Sequence, residues 1–209
     1  MSYEPNDEAW DEFYASVSEE LYPGHKLQAI SEFTRERLRS FYLQNPKILM
    51  PAMDMYYESG MLHKANRPIP TVVFCMTTLE LLLKAALLRP IVYGLVHNDG
   101  LAGLIVEHTL GQTGFHRYKG LLAKIFEDFT GVDISTIKRS GCDCPLLDEA
   151  LELQKLRNRI IHQGASCDTD DAERANEIVT TAFDFIVSPI LQRLNIIIKP
   201  GENGLISGA

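Results

Sequence analysis

One stretch restricts the possible folds of this chain more than any other, because residues 71–88 are apolar around almost the whole circumference of a helix. A helix without a polar face lies either in a protein core or in a membrane. A membrane span needs about 20 predominantly apolar residues. The longest apolar stretch, residues 69–96, is interrupted by three charged residues and a proline: Glu80, Lys84, Arg89 and Pro90. We therefore predict that residues 71–88 form the central buried helix of a soluble protein.

Helical periodicity extends over most of the remaining chain, with apolar residues recurring every three or four positions. This pattern predicts further helices over residues 7–21, 27–45, 46–65, 116–129, 145–163 and 168–194. The Pro23-Gly24 pair is expected to end the first helix, Pro90 to kink or end the central one, and Pro189 to bend the last. No stretch has the alternation of a convincing strand. The sequence therefore predicts an all-α fold.

The connections between these helices contain many glycines. Residues 98–114 are predicted to form a mostly irregular loop, in which residues 101–108 could form a short helix, and residues 131–141 form a second connector. The chain is then expected to have three regions: an N-terminal helical extension over residues 1–45, a helical domain over residues 46–195 and a flexible C-terminal tail over residues 196–209.

The charge of the chain excludes one class of protein. It has 20 Lys and Arg against 28 Asp and Glu, a formal net charge of −8, whereas a general nucleic-acid coat depends on an excess of cations that meet phosphates. A local basic site remains compatible with this charge, because the cations are clustered at Arg35-Arg37-Arg39, His116-Arg117-Lys119 and Lys155-Arg157-Arg159. We expect the first of these clusters to be a solvated helix surface.

Cysteine usage and the start of the chain favour a cytoplasmic protein. The chain has four cysteines, and its acidic first residues lack the basic-then-apolar order of a signal peptide, so reduced thiols are expected. Cys142 and Cys144 do not have the two-residue spacing of a structural zinc site, and Cys167 stands alone. We expect no metal, no cofactor and no membrane association.

The second half of the helix predicted at residues 145–163 carries an unusual set of polar residues. Arg157, Asn158 and His162 lie between apolar positions, and Gly164 follows where glycine commonly ends a helix. Asn158 and His162 are four residues apart and share a face, whereas Arg157 lies about 140° from His162 at ~100° per residue. A long arginine side chain can span that angle. The guanidinium, amide and imidazole groups are therefore expected to converge near the helix end, where they could handle a phosphate.

This motif resembles the signature of HEPN-domain proteins (higher eukaryotes and prokaryotes nucleotide-binding), which is an arginine, a polar residue and a histidine four to six positions after the arginine. Here those residues are Arg157, Asn158 and His162. The resemblance implies a HEPN-like antiparallel four-helix bundle core at residues 46–195, preceded by the N-terminal extension. It also implies a homodimer that brings two copies of the motif into one cleft.

A second match lies on the central helix, where residues 74–87 are similar to the hydrophobic helix of that family that carries a glutamate and then a lysine. Here these are Glu80 and Lys84, spaced for an ion pair along one face. The pair either serves the structure at a surface groove or helps to orient the active site. The substrate-binding residues expected with it are Lys155, Arg159 and His116.

The function implied by the resemblance is metal-independent RNA cleavage by an endoribonuclease, in a setting of bacterial stress, toxin-like activity or antiphage defence. A base removes the proton of the 2′-hydroxyl, a cation stabilises the phosphoryl oxygens and an acid protonates the leaving 5′-oxygen. Histidine suits the proton transfers and arginine the phosphate. Arg157 and His162 are therefore the expected catalytic residues and Asn158 supports them, with RNA as substrate and a neutralising protein as a possible partner.

Two alternatives stay open at this point. The same basic cleft could belong to a non-catalytic HEPN-like module that binds RNA, nucleotides or a protein partner. The acidic overall charge of the chain favours this hypothesis. A purely structural helical subunit is the weaker alternative. The intact arginine–histidine pair favours the enzyme.

Overall fold

The computed structural model describes residues 5–96, 98–110, 115–199 and 204–208, and these residues are mostly helical, as the sequence predicts. The α-helices are α1 (Pro5–Gln44), α2 (Met50–Lys64), α3 (Pro68–Glu80), α4 (Arg89–Leu95), α5 (Asp99–Ile105), α6 (Phe115–Thr130), α7 (Leu146–Gln163), α8 (Thr169–Ala182) and α9 (Ser188–Arg193). A two-stranded antiparallel hairpin of β1 (Ile196–Lys199) and β2 (Gly204–Ser207) follows.

The central helix is the one predicted from its apolar sequence. α3 continues without a break through a π-helical segment, Leu81–Leu88, into α4, and α3 packs against α2, α7 and α8. By length and composition the helix Pro68–Leu95 could cross a membrane, but 61% of its most apolar window is buried inside the structure. Burial of this kind is typical of the core helix of a globular domain.

Two prolines are accommodated by wider helical turns. Pro90 neither ends nor interrupts the central helix, since the N–H of Arg89 bonds to the carbonyl of Lys84, five residues earlier. A second π-helical segment, Phe183–Val187, precedes Pro189 in the same way and joins α8 to α9. Because proline cannot close an α-helical hydrogen bond, a turn with longer spacing allows the helix to continue through it.

The N-terminal helix differs from the prediction. α1 runs through Pro23-Gly24 as one helix, in place of the two that the sequence predicts. Three aromatic side chains of its first half, Trp10, Phe13 and Tyr14, are 54–63% exposed. Its second half packs against α4 through Leu38, which is buried.

Glycine allows α1 and α4 to approach closely. A Cβ atom at Gly94 would lie 3.2 Å from the Cβ atom of Leu38. At this crossing Arg37 Nη2 donates to the carbonyls of Tyr93 (3.3 Å) and Val96 (3.4 Å), which satisfies the last turn of α4. Arg37 is therefore half-buried at a helix end, and the surface predicted for Arg35-Arg37-Arg39 is only partly solvated.

The C-terminal hairpin also differs from the prediction of a flexible tail over residues 196–209. β1 and β2 pair from Ile196 with Ser207 to Lys199 with Gly204. Leu205 is buried, and its N–H donates to the carbonyl of Pro46 at 2.9 Å. Gly204 has a φ of 61°, and a Cβ atom there would lie 2.2 Å from that carbonyl oxygen. The hairpin therefore depends on a contact with a distant part of the chain.

Candidate functional site

The candidate site is the C-terminal half of α7. The helix buries one face through its apolar residues Leu146, Leu147, Ala150, Leu153, Leu156 and Ile160. It ends at Gly164, whose φ of 65° is left-handed and whose N–H bonds to the carbonyl of Ile160 at 3.1 Å. Glycine adopts this conformation without a steric penalty. The position of the helix end relative to the motif is therefore as the sequence predicts.

Arg157 is half-buried on α7. Its Nη1 donates to Oδ1 of the neighbouring Asn158 at 3.1 Å. Its Nε is buried and has no hydrogen-bond partner among the described residues. An unpartnered buried N–H costs about 1–3 kcal/mol, and an external oxygen would reach this one only after the side chain moved, because Nε is shielded from solvent. The guanidinium is thus held by Asn158 with one donor still to be satisfied.

His162 lies on the solvent-exposed face of α7. Lys155, Asn158 and Arg159 are also exposed, and at ~100° per residue these four positions fall within about 100° of one another. The helix therefore places two cations, an amide and an imidazole on one surface. Within the part of the chain that the structure describes, no hydrogen bond joins His162 to Arg157 or Asn158.

Glu80 and Lys84 form an ion pair on the central helix. Lys84 Nζ donates to Glu80 Oε1 at 2.7 Å and lies 5.3 Å from the ring centroid of Tyr118. Tyr118 is buried, and burial, with the negative charge of Glu80 as a smaller cause, raises the pKa of its hydroxyl. The described contacts of Lys84 are thus with its own helix and with α6.

The first half of α6 lies beside the N-terminal end of α7, whereas the motif lies near the C-terminal end of α7. Lys119 Nζ pairs with Oδ1 of Asp148 in the first turn of α7. Asp148 and His162 are 14 residues apart, or about 21 Å along a helix axis at ~1.5 Å per residue. The structure therefore places Lys119 at the first turn of α7, whereas Lys84 contacts Tyr118 on α6. His116 belongs to α6, but its side chain lies outside what the structure describes.

The buried carboxylate of Glu149 on α7 is not among the residues predicted from the sequence. Glu149 is 2% exposed, and its Oε1 lies 3.0 Å from both Arg139 Nη2 and Arg174 Nε. Arg139 also pairs with Glu177 at 2.6 Å, and Arg174 with Glu152. The signal was present in the sequence, because Glu149 falls at helical spacing within the apolar stripe of α7.

Opposing effects act on the pKa of Glu149. Burial favours the neutral acid and would raise the pKa. The hydrogen bond and charge of Arg139, then the hydrogen bonds of Arg174 and Cys142, outweigh burial, and the pKa lies below its ordinary value. Glu149 is therefore ionised at neutral pH and joins the connector at residues 131–141 to α7 and α8.

The cysteine side chains are free thiols, with Cys75 buried and Cys142, Cys144 and Cys167 half-buried. Within the described ranges, no group of three or more His, Cys, Asp or Glu side chains is placed to hold a metal ion. The pKa of the Cys75 thiol is raised to about 11, and burial is the largest cause of this rise.

Comparison of the chain with protein-family models, with curated proteins and with solved structures found no match in any of the three.

Proposed function

We propose that this protein is a metal-independent endoribonuclease of HEPN type, with an active site composed of two copies of the α7 motif at a homodimer interface. The observation that carries the proposal is the hydrogen bond that Arg157 Nη1 donates to Asn158 Oδ1, which orients the guanidinium. An arginine held in this way is suited to bind a phosphate oxygen. The exposed His162 lies on the following turn.

In the proposed reaction each group has one task. His162 of one protomer takes the proton of the 2′-hydroxyl, and the 2′-oxygen attacks phosphorus to form a 2′,3′-cyclic phosphate. The bond to the 5′-oxygen breaks, and an imidazolium returns a proton to that oxygen as the 5′-hydroxyl product leaves. Arg157 stabilises the charge on the phosphoryl oxygens during this step, while Asn158 holds the guanidinium.

A second copy of the chain supplies the second imidazole. One acid and one base are needed, and a two-fold axis near the end of α7 would bring together His162 from both protomers. Ile161, beside His162, is 46% exposed, so an apolar side chain is available for such a contact. Lys155 and Arg159, on the same exposed face as His162, would bind the phosphates on either side of the cleaved bond.

The test is cleavage of mixed RNA by the purified protein in excess EDTA. His162→Ala and Arg157→Ala are each expected to lower the rate about a hundredfold or more, which is typical for loss of a proton-transfer or oxyanion-stabilising group. His25→Ala, an exposed histidine on α1, is the matched control and should leave the rate unchanged. Full cleavage by His162→Ala, or cleavage that requires a metal, would refute the proposal.

Two other results would favour the alternatives. RNA binding without cleavage, weakened by Arg157→Ala, would identify a non-catalytic HEPN-like binding module. Absence of any RNA interaction would identify a structural subunit. If cleavage is found, we propose a cytoplasmic toxin-like or antiphage role, for which expression should arrest growth and His162→Ala should relieve the arrest. Recovery of growth on co-expression would then identify a neutralising protein partner.

A further inference from the structure

A second polar surface lies between α1, the end of α6 and α9, outside the α7 motif. A cavity of about 430 Å³ there has the size of a small-molecule site. Its polar lining includes Ser31, Thr34 and Arg35 from α1 and Arg193 from α9. An adjoining cavity of about 290 Å³ is lined by the same two arginines.

The acidic residues of both cavities are already paired. Asp128 lies 3.0 Å from Lys124 Nζ, and Glu36 lies 3.8 Å from Arg39 Nη1. Arg35 and Arg193, in contrast, have no carboxylate partner within the described residues. The two guanidinium groups therefore bring positive charge to a cavity whose one carboxylate in the described lining, that of Asp128, is paired with Lys124.

The positions of the donors are partly fixed by the fold. Arg193 Nη1 donates to the carbonyl of Phe129 at 2.5 Å and Nη2 to that of Thr130 at 2.6 Å, which holds the guanidinium against the last turn of α6. The hydroxyls of Ser31 and Thr34 have no hydrogen-bond partner in the described part of the chain and line the same cavity. Guanidinium and hydroxyl donors together suit an anion with several oxygens.

The rest of the lining is apolar and includes Leu95, Phe129 and Leu194. An inorganic anion would leave this apolar surface uncovered, whereas an organic group attached to the anion would bury it. We propose that this cavity binds a small phosphate ester, whose phosphate contacts Arg35, with its organic group against Phe129. The proposal is independent of RNA cleavage by the α7 motif.

Calorimetric titration of the full chain with phenyl phosphate tests the site, with inorganic phosphate, phenol and benzoate as comparisons. Phenyl phosphate should bind at least tenfold more tightly than each of the other three. Arg35→Gln should weaken its binding at least tenfold, and Ser31→Ala severalfold. Arg67→Gln, at an exposed arginine that belongs neither to this cavity nor to the α7 motif, is the matched control and should leave the affinity unchanged.

Three results would overturn the phosphate-ester site: an unchanged affinity in Arg35→Gln, a loss of binding in Arg67→Gln, or benzoate binding as tightly as phenyl phosphate. The side chain of Arg35 is exposed and has no ion-pair partner among the described residues. The Arg35→Gln protein should therefore fold as the wild type does. It should also cleave RNA at the wild-type rate, so failure of this proposal is distinguishable from failure of the nuclease proposal.

Discussion

The hydroxyl of Tyr42 donates a 2.7 Å hydrogen bond to the carbonyl oxygen of Ala86, and so joins α1 to the central helix. Ala86 is four residues before Pro90, which has no N–H to offer that carbonyl. Tyr42 is completely buried, and burial raises the pKa of its hydroxyl well above the ordinary value, so the hydroxyl stays protonated as a donor. A side chain thus provides a donor at the position where proline lacks one.

Tyr42→Phe should lower the free energy of unfolding by about 1–3 kcal/mol, the cost of leaving a buried acceptor unsatisfied. Urea unfolding followed by circular dichroism measures this. Pro90→Ala returns an N–H to the helix, so Tyr42→Phe should cost less in the Pro90→Ala background than in the wild type. An equal cost in both backgrounds would show that Tyr42 does not compensate for the proline.

The network around Glu149 predicts a large effect on stability. Glu149→Gln should lower the free energy of unfolding by about 3 kcal/mol, because it removes a buried charge shared by Arg139 and Arg174. Glu173→Gln, on the exposed side of α8, is the matched control and should change stability by less than about 0.5 kcal/mol. Equal effects of the two substitutions would contradict a stabilising role for the network.

The same network predicts how stability depends on pH. Folding lowers the pKa of Glu149 below its ordinary value of 4.5, so its ionised form adds stability above about pH 4.5. That stability is lost as the pH falls through the folded-state pKa. The gap in unfolding free energy between the wild type and Glu149→Gln should therefore narrow from pH 7 to pH 3. Urea titrations at several pH values measure the gap, and a constant gap would disprove the linkage.

The features that could be predicted from sequence are those that local signals specify. Gly164 ends α7 in the left-handed conformation, and Asp168 caps α8 by exchanging hydrogen bonds with Asp171, because glycine and aspartate favour these positions on their own. The central helix is also predictable from the sequence, because its apolar residues leave no polar face that could be exposed to solvent. The exposed face of α7 that carries His162 follows from helical spacing in the same way.

The features that were missed depend on contacts between distant residues. The hairpin is anchored by Leu205 on Pro46, 159 positions away, and a short apolar run such as Ile196–Lys199 does not distinguish a strand from the end of a helix. The position of Glu149 in the apolar stripe of α7 marks it as unusual, but its ion pairs with Arg139 and Arg174 depend on tertiary packing. At the motif, the burial of Arg157 Nε likewise depends on tertiary packing.

Gly164→Ala should destabilise the end of α7. A left-handed φ of 65° costs a residue with a Cβ atom about 1–2 kcal/mol. Thermal unfolding should show a lower midpoint, and RNA cleavage should fall because His162 lies in the last turn. Gly60→Ala is the matched control: it lies inside α2 with open space around its Cβ position, so it should raise stability by up to about 1 kcal/mol. A midpoint that Gly164→Ala does not lower would contradict the assigned conformation.

The proposed two-fold site makes activity depend on association. If two copies of His162 share one cleft, a single charge placed beside it should separate the protomers and abolish cleavage without unfolding either one. Ile161→Asp makes this change at a side chain that is 46% exposed, and Ile197→Asp, at a side chain that is 51% exposed on β1, is the matched control. Sedimentation should show a dimer for the wild type and for Ile197→Asp but a monomer for Ile161→Asp.

The specific activity of the wild type should also fall on dilution below the dissociation constant of the dimer. A monomeric Ile161→Asp that still cleaves RNA at the wild-type rate would require the acid and the base to come from one chain, and His162 would then need a partner other than its own copy.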